Sequence, residues 1–269
     1  MALRPFRIEF THRAIDDLRA RLDLARWPSP LAGEEAFDGA LRLLARDWAA
    51  FDWTPWQTRL NALSHLRGVV EGGEVHTAVL GVPWTQRRAT VLLLHDAAGT
   101  FFDRLPLADR LRAAGNDVVL ASLPGTGYSE RLTAAATPEA AARRIHAAMQ
   151  VLGYTSYAVH GDGYGGTVAK ALAAASEGAA TDLGLGRAAE GAPLPPASAY
   201  ALHDSPLGVL AWRLAATGMP GEADRDLWLA ATTWCWLTGT ASYAATLAGG
   251  RVRPASDEAV VEAVSASAG

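Results

Sequence analysis

Tyr157-Ala158-Val159-His160-Gly161-Asp162-Gly163-Tyr164-Gly165-Gly166-Thr167 is the stretch on which the fold turns. Tyr157–His160 reads as a short buried strand, Gly161–Gly166 as a tight turn, and Thr167–Ala175 as a helix. A strand that passes through a glycine turn straight into a helix is half of a parallel βαβ unit.

The flanking sequence repeats that pattern. Thr90–Leu94 is a fully apolar run, as a strand buried on both faces requires. A helix around Phe102–Ala113, strand Asp117–Ala121, a helix over Pro138–Leu152 and a last short strand at Leu183–Leu185 follow the same alternation. Upstream, Leu66–Glu71 and Glu74–Leu80 are joined by Gly72-Gly73, a hairpin signal. Before them lie three helical segments: one capped by Thr11 with Ile15, Leu18, Leu22 and Leu24 on its apolar side, one through Leu41, Leu43, Leu44 and Trp48, and one after Thr54-Pro55. Downstream of Arg187 the pattern is helical again. Asp204-Ser205-Pro206 makes a helix start, and Trp212, Leu227, Trp228, Trp234 and Trp236 line an apolar segment. Ser256-Asp257-Glu258 can cap one short tail helix. The division is a helical meander (1–65), an α/β core (66–186), a helical lid (187–250) and a tail (251–269).

The 269 residues suit one large domain, and half of them are hydrophobic, ample for a core. A net charge of −4 gives no general attraction to nucleic acid or an anionic membrane. The single cysteine, Cys235, excludes an internal disulfide and sits in an apolar run, as a buried thiol does. No apolar stretch reads as a signal peptide or a membrane helix, and no Cys/His spacing suits zinc. A cytoplasmic protein without cofactor or metal is expected.

Five blocks in order resemble the epoxide hydrolases of the α/β-hydrolase fold that carry an N-terminal meander, the microsomal and fungal type. They are Pro5-Phe6-Arg7-Ile8 with Asp17–Leu22 and Arg26-Trp27-Pro28; Phe51-Asp52-Trp53 with Arg59–Leu63; Ser122–Ser129; Tyr200–Gly208; and Trp236–Thr240. The resemblance implies an α/β-hydrolase fold with a mostly parallel sheet of about six strands, a meander and a lid. It also implies an elbow Asp that attacks the epoxide, a His that activates water, and two lid tyrosines that hold the epoxide oxygen.

The elbow needs small residues two positions either side of the nucleophile. Gly161-Asp162-Gly163-Tyr164-Gly165 fits, which puts Gly163 where the nucleophile belongs. With Asp162 there, His160 and Tyr164 would fall on the small positions. Gly161–Gly166 also resembles a dinucleotide loop, but the elbow accounts for it better and no Walker Lys follows. None of the seven His follows His203, whereas the resemblance implies a catalytic His beyond the lid and two further strands; a truncated version of the fold is expected. Tyr200 matches the first lid tyrosine, the second falls at Ala248, and Tyr243 is off register.

In the loop after Thr90–Leu94 the resemblance implies His-Gly-x-Pro-Gly, where this chain has His95-Asp96-Ala97-Ala98-Gly99. Asp96 is either a turn aspartate or a general acid or base with its pKa raised by burial. Asp162 reads as a neighbour of the turn or a pocket group, and Tyr200 as a hydrogen-bond donor or a packing residue. His160 reads as a satisfied core His and His95 as a brace of its loop. Gly163, Tyr164, His95, Trp236 and Phe101 are candidate ligand-binding positions, and Asp96, Tyr200 and Asp162 candidate catalytic ones. The expected function is a repurposed, non-hydrolytic enzyme: a cyclase, isomerase, epimerase or lyase on a hydrophobic intermediate of bacterial secondary metabolism. The alternatives are a non-catalytic ligand-binding or partner subunit, paired as homodimer or heteromer through an exposed edge beside Leu183–Leu185, and an active hydrolase using Asp162 with His160 or His95.

Overall fold

A computed structural model describes residues 2–30, 32–132, 137–186, 192–247 and 255–267. The chain runs β1 (Arg4–Pro5), α1 (His12–Asp23), α2 (Glu35–Ala49), α3 (Thr54–Leu60), β2 (Ser64–Val70), β3 (Gly73–Leu80), β4 (Thr90–Leu94), α4 (Leu105–Ala113), β5 (Asp117–Ala121), α5 (Pro138–Val151), β6 (Tyr157–Gly161), α6 (Tyr164–Ala175) and β7 (Ala180–Asp182). It continues through α7 (Pro196–Asp204), α8 (Pro206–Thr217), α9 (Arg225–Leu237), α10 (Ala241–Ala244) and α11 (Asp257–Ser267). A 3-10 turn at Phe101–Arg104, capped reciprocally by Thr100 and Asp103, leads into α4.

Among the described residues the sheet has seven strands in the order β1-β2-β3-β5-β4-β6-β7. Its first four members pair antiparallel and β5, β4, β6 and β7 run parallel. The expected six strands thus gain β1, a two-residue pairing too short to show a period. The last strand lies at Ala180–Asp182, upstream of the predicted Leu183–Leu185, whose side chains instead pack on the core. The hairpin turns on Glu71-Gly72, both at positive φ, rather than on Gly72-Gly73. A Cβ on Gly73 would meet the Arg144 guanidinium at 2.5 Å. Leu24, assigned to the apolar side of the first helix, is its C-cap and 81% exposed.

Side chains of the central strands alternate between two cores. Val91, Leu93, Val118 and Leu120 face a cluster with Phe101, Phe102, α4 and the tail helix α11. Leu92, Leu94, Val119 and Val159 face α5 and α6. The tryptophan-rich meander packs on the lid: Leu18, Leu44 and Trp48 share a cluster with Leu210, Leu214, Trp228 and Leu229. Trp48 Nε1 donates to Thr233 Oγ1 at 2.8 Å, which satisfies an indole in a dry interface. Ser205 caps α8 by accepting from Gly208 N at 2.9 Å, as the sequence signalled. Among the described residues no helix is long and apolar enough to cross a membrane.

Two glycines separate packing from propensity. A Cβ on Gly165 would lie 2.3 Å from the His95 carbonyl oxygen, which is backbone and cannot yield. Gly39, exposed within α2, has nothing within 4 Å of such a Cβ. Gly165→Ala is expected to cost about 2 kcal/mol or more, and Gly39→Ala to stabilise by up to about 1 kcal/mol. Urea unfolding of the two variants measures both, and equal effects would refute the close approach.

Candidate active site

The parallel strands end beneath the lid, where binding groups in such sheets gather. At the end of β6 the backbone passes Gly161 and turns at Gly163, with φ 57° and ψ −128°, before α6 begins at Tyr164. A residue with a side chain held in so sparsely populated a region costs roughly 1–3 kcal/mol. A Cβ on Gly161 would lie 2.6 Å from the Gly165 carbonyl carbon. Residues 161 and 165 are therefore the small positions of the turn and Gly163 is its apex, the reading taken from spacing. Asp162, one step early, is fully buried and lies 3.1 Å from Arg104 Nη1.

Asp96 is drawn into this turn. Its Oδ1 accepts from the Tyr164 backbone N–H at 2.8 Å. Burial pushes the carboxyl above its ordinary pKa, and it outweighs the N–H groups of Tyr164, Ala97 and Ala98 and the charge of Arg104, all of which pull it down. Asp96 lines a cleft of about 190 Å³ with Asp103, Arg104, Ala216, Thr217 and Trp228. Asp96 thus bonds loop backbone and borders the cleft.

Two ion pairs frame that cleft. Arg104 is held by Asp162, and Arg213 Nη2 lies 3.2 Å from Asp103 Oδ1. Arg213 is fully buried and also donates to the Ala98 carbonyl at 3.0 Å, tying lid helix α8 to the Asp96 loop. Sequence reasoning missed Asp103, Arg104, Arg213, Thr217 and Trp228. The signal for one was present: a lone Arg213 inside the apolar α8 demands a buried partner. Among the described residues no group of His, Cys, Asp and Glu could hold a metal ion.

The histidines stand apart from the cleft. His95 Nδ1 donates to the Asp96 carbonyl at 2.7 Å, and its Nε2 accepts from Leu123 N at 3.2 Å. It is the expected brace, and burial pushes its pKa down to about 4. His160 is buried, but among the described residues neither ring nitrogen has a hydrogen bond, so it is not the satisfied core His expected. Its Nε2 lies 3.6 Å from Asp162 Oδ2. His65 Nε2 donates to the Leu60 carbonyl at 2.8 Å, so its Nδ1 accepts from His76 at 3.1 Å and His76 in turn accepts from Ser122 at 2.9 Å. Burial lowers both pKa values.

The remaining candidates do not converge on the cleft. Tyr200 is 83% exposed, on the outer side of α7, so it does not join the group it was assigned to. Trp236 lies where lid meets meander, under the Arg21 guanidinium at 5.7 Å. Phe101 is core, edge-on to Trp234 at 5.3 Å. Tyr164 is buried and its phenol is raised to about 12, first by burial and then by Tyr243. The second lid tyrosine position, Ala248, lies outside the described residues.

A helical lid over a mixed sheet, with a glycine elbow after a central strand, defines an α/β-hydrolase fold. Comparison narrows it. Residues 3–104 match the family described as epoxide hydrolase N terminus. A Stigmatella aurantiaca protein named as an epoxide hydrolase is 30% identical over 190 residues, which take in 63% of this chain and 42% of that one. Epoxide hydrolase 1 of Oryctolagus cuniculus is 26% identical over 190 residues, 64% of this chain and 42% of that one. The chain therefore spans less than half the length of the curated relatives it matches. The structure of juvenile hormone epoxide hydrolase from the silkworm Bombyx mori superposes with a TM-score of 0.78 at 20% identity, over 91% of this chain and 75% of that one. The chain is thus similar to epoxide hydrolases, with the match to that family's N-terminal region confined to residues 3–104, on an α/β-hydrolase fold.

Three buried histidines, His65, His76 and His95, set a pH dependence. In the folded state their pKa values lie below the ordinary 6.5, so folding favours the neutral forms. Their contribution is complete above the unfolded value and is lost as pH falls through it toward about 4. The urea midpoint is expected to drop between those pH values. Replacing exposed His12 by Gln leaves that drop unchanged, whereas a flat midpoint over the interval would contradict the burial.

Proposed function

We propose that this epoxide-hydrolase-like protein is a non-hydrolytic enzyme, an isomerase, cyclase or lyase, that works by acid/base catalysis at Asp96 on a small hydrophobic natural-product intermediate. The observation that carries the reading is the placement of Asp96, a carboxyl raised by burial, on the wall of the cleft beside an apex that has no side chain. A protonated Asp96 gives its proton to a ligand oxygen and takes one back from carbon, while the apolar walls orient the ligand. The cleft of about 190 Å³ favours a compact substrate.

A second reading, a non-catalytic binding or partner subunit, draws support from how tightly the space under the lid is filled. Trp234 packs edge-on against Phe101 at 5.3 Å and Tyr128 at 5.0 Å. Pairing of copies through β7, the last strand in the described sheet, belongs to that reading.

Styrene oxide is a direct probe. The expected product is the rearranged aldehyde, with turnover falling as pH rises past the raised pKa of Asp96. Asp96→Asn is expected to lower the rate by about a hundredfold or more, and Tyr200→Phe to leave it within about twofold, as befits a side chain outside the cleft. An unchanged rate in Asp96→Asn would sink the acid/base reading. Diol formation that disappears in Asp162→Ala would restore hydrolysis from the elbow.

A further inference from the structure

We infer that the protein has a second binding site, at the end of the sheet opposite the lid, and that this site takes a planar aromatic ring bearing an anionic group such as a phosphate. The inference goes beyond the acid/base reading and uses none of its residues.

The parallel strands end at the lid cleft and start at the other side of the molecule. There a cavity of about 470 Å³, against about 190 Å³ for the lid cleft, opens beside Thr90 of β4, Tyr157 of β6 and Thr181 of β7. Small-molecule pockets commonly enclose roughly 300–1,000 Å³.

Three observations give the ligand its chemistry. First, Trp84 lines the cavity and is 78% exposed. It sits in a 3-10 turn, Trp84–Gln86, that is tied down at both ends of its exit. The Arg87 N–H donates to the Trp84 carbonyl at 3.3 Å, and the Arg88 N–H to the Gly115 carbonyl at 2.9 Å. A ring fixed before binding loses little freedom when a ligand arrives.

Second, the Arg87 guanidinium lies over the Trp84 ring at 4.6 Å and over the Tyr154 ring at 5.5 Å. The fully buried Asp117 is its ion-pair partner, and the Tyr154 hydroxyl donates to the same carboxylate at 3.2 Å. Asp117 thus neutralises Arg87 and locks it against the indole, whose other side is left to solvent. A single exposed tryptophan needs no explanation, but an indole held over an anchored guanidinium is a prepared stacking surface.

Third, the cavity carries positive charge that nothing answers. Its lining holds two arginines and no carboxylate. Asp117 answers Arg87, whereas Arg88 is exposed and among the described residues its guanidinium has no ion pair. The exposed hydroxyls of Thr155, Ser156 and Thr181 add donors on the facing wall. One surplus cation among hydroxyl donors suits an anion, and the Trp84 face beside it suits a flat ring.

Calorimetric titration of the full chain with naphthyl phosphate near neutral pH tests the site. The probe is expected to bind at least about tenfold more tightly than inorganic phosphate or naphthol, because each of those lacks one half of the recognition. Trp84→Ala and Arg88→Ala alter exposed residues, so both are expected to melt with the parent and to weaken binding about tenfold each. Asp96→Asn is expected to leave binding unchanged. Raising the salt from about 50 to about 500 mM is expected to weaken binding of the parent chain, a measurement that needs no variant. Absence of heat up to about 5 mM probe, which leaves only negligible affinity, overturns the inference. So does binding that naphthol or inorganic phosphate matches, that salt leaves unchanged, that survives both Trp84→Ala and Arg88→Ala, or that is lost in Asp96→Asn.

Discussion

The close approach of the elbow to the loop after β4 governs the site. Gly165 leaves room for the His95 carbonyl, and Gly161 leaves room for Gly165. With no Cβ at either place the two backbones touch, and only then does the Tyr164 N–H reach Asp96. His95 holds the same loop from the other side, bonded to the Asp96 carbonyl and to Leu123 N. Asp96 is thus positioned by backbone contacts on rigid elements, which place a side chain more tightly than a free loop does.

Much of this was legible in the sequence. The elbow spacing placed the apex at Gly163, and its dihedral angles bear that reading out. The alternation of strands and helices gave the layered fold, because apolar runs of five residues bounded by turns have few other uses. Asp96 stood out because it occupies a position where the resemblance implies glycine.

What was not legible depended on partners distant in the chain. Nothing near Arg104 or Arg213 says which acid each will meet, since Asp162 and Asp103 arrive through the fold. Tyr200 fitted a motif by order, but only packing decides which side of a helix faces inward, and α7 turns that residue outward. The hairpin turn moved by one residue because Glu71, not Gly73, takes the other positive-φ position and Gly73 already pairs with Val70. Local patterns identified elements, and side-chain destinations required tertiary contacts.

The indole bond from Trp48 to Thr233 spans 185 residues of chain. The meander and the lid share one core, so neither can bury its apolar face until both exist. During synthesis the meander helices emerge with their tryptophans uncovered and wait until α9 has been made. Such long-range closure slows folding and leaves sticky surface open meanwhile. The meander is therefore a late-docking piece in the order of assembly, despite being made before the lid.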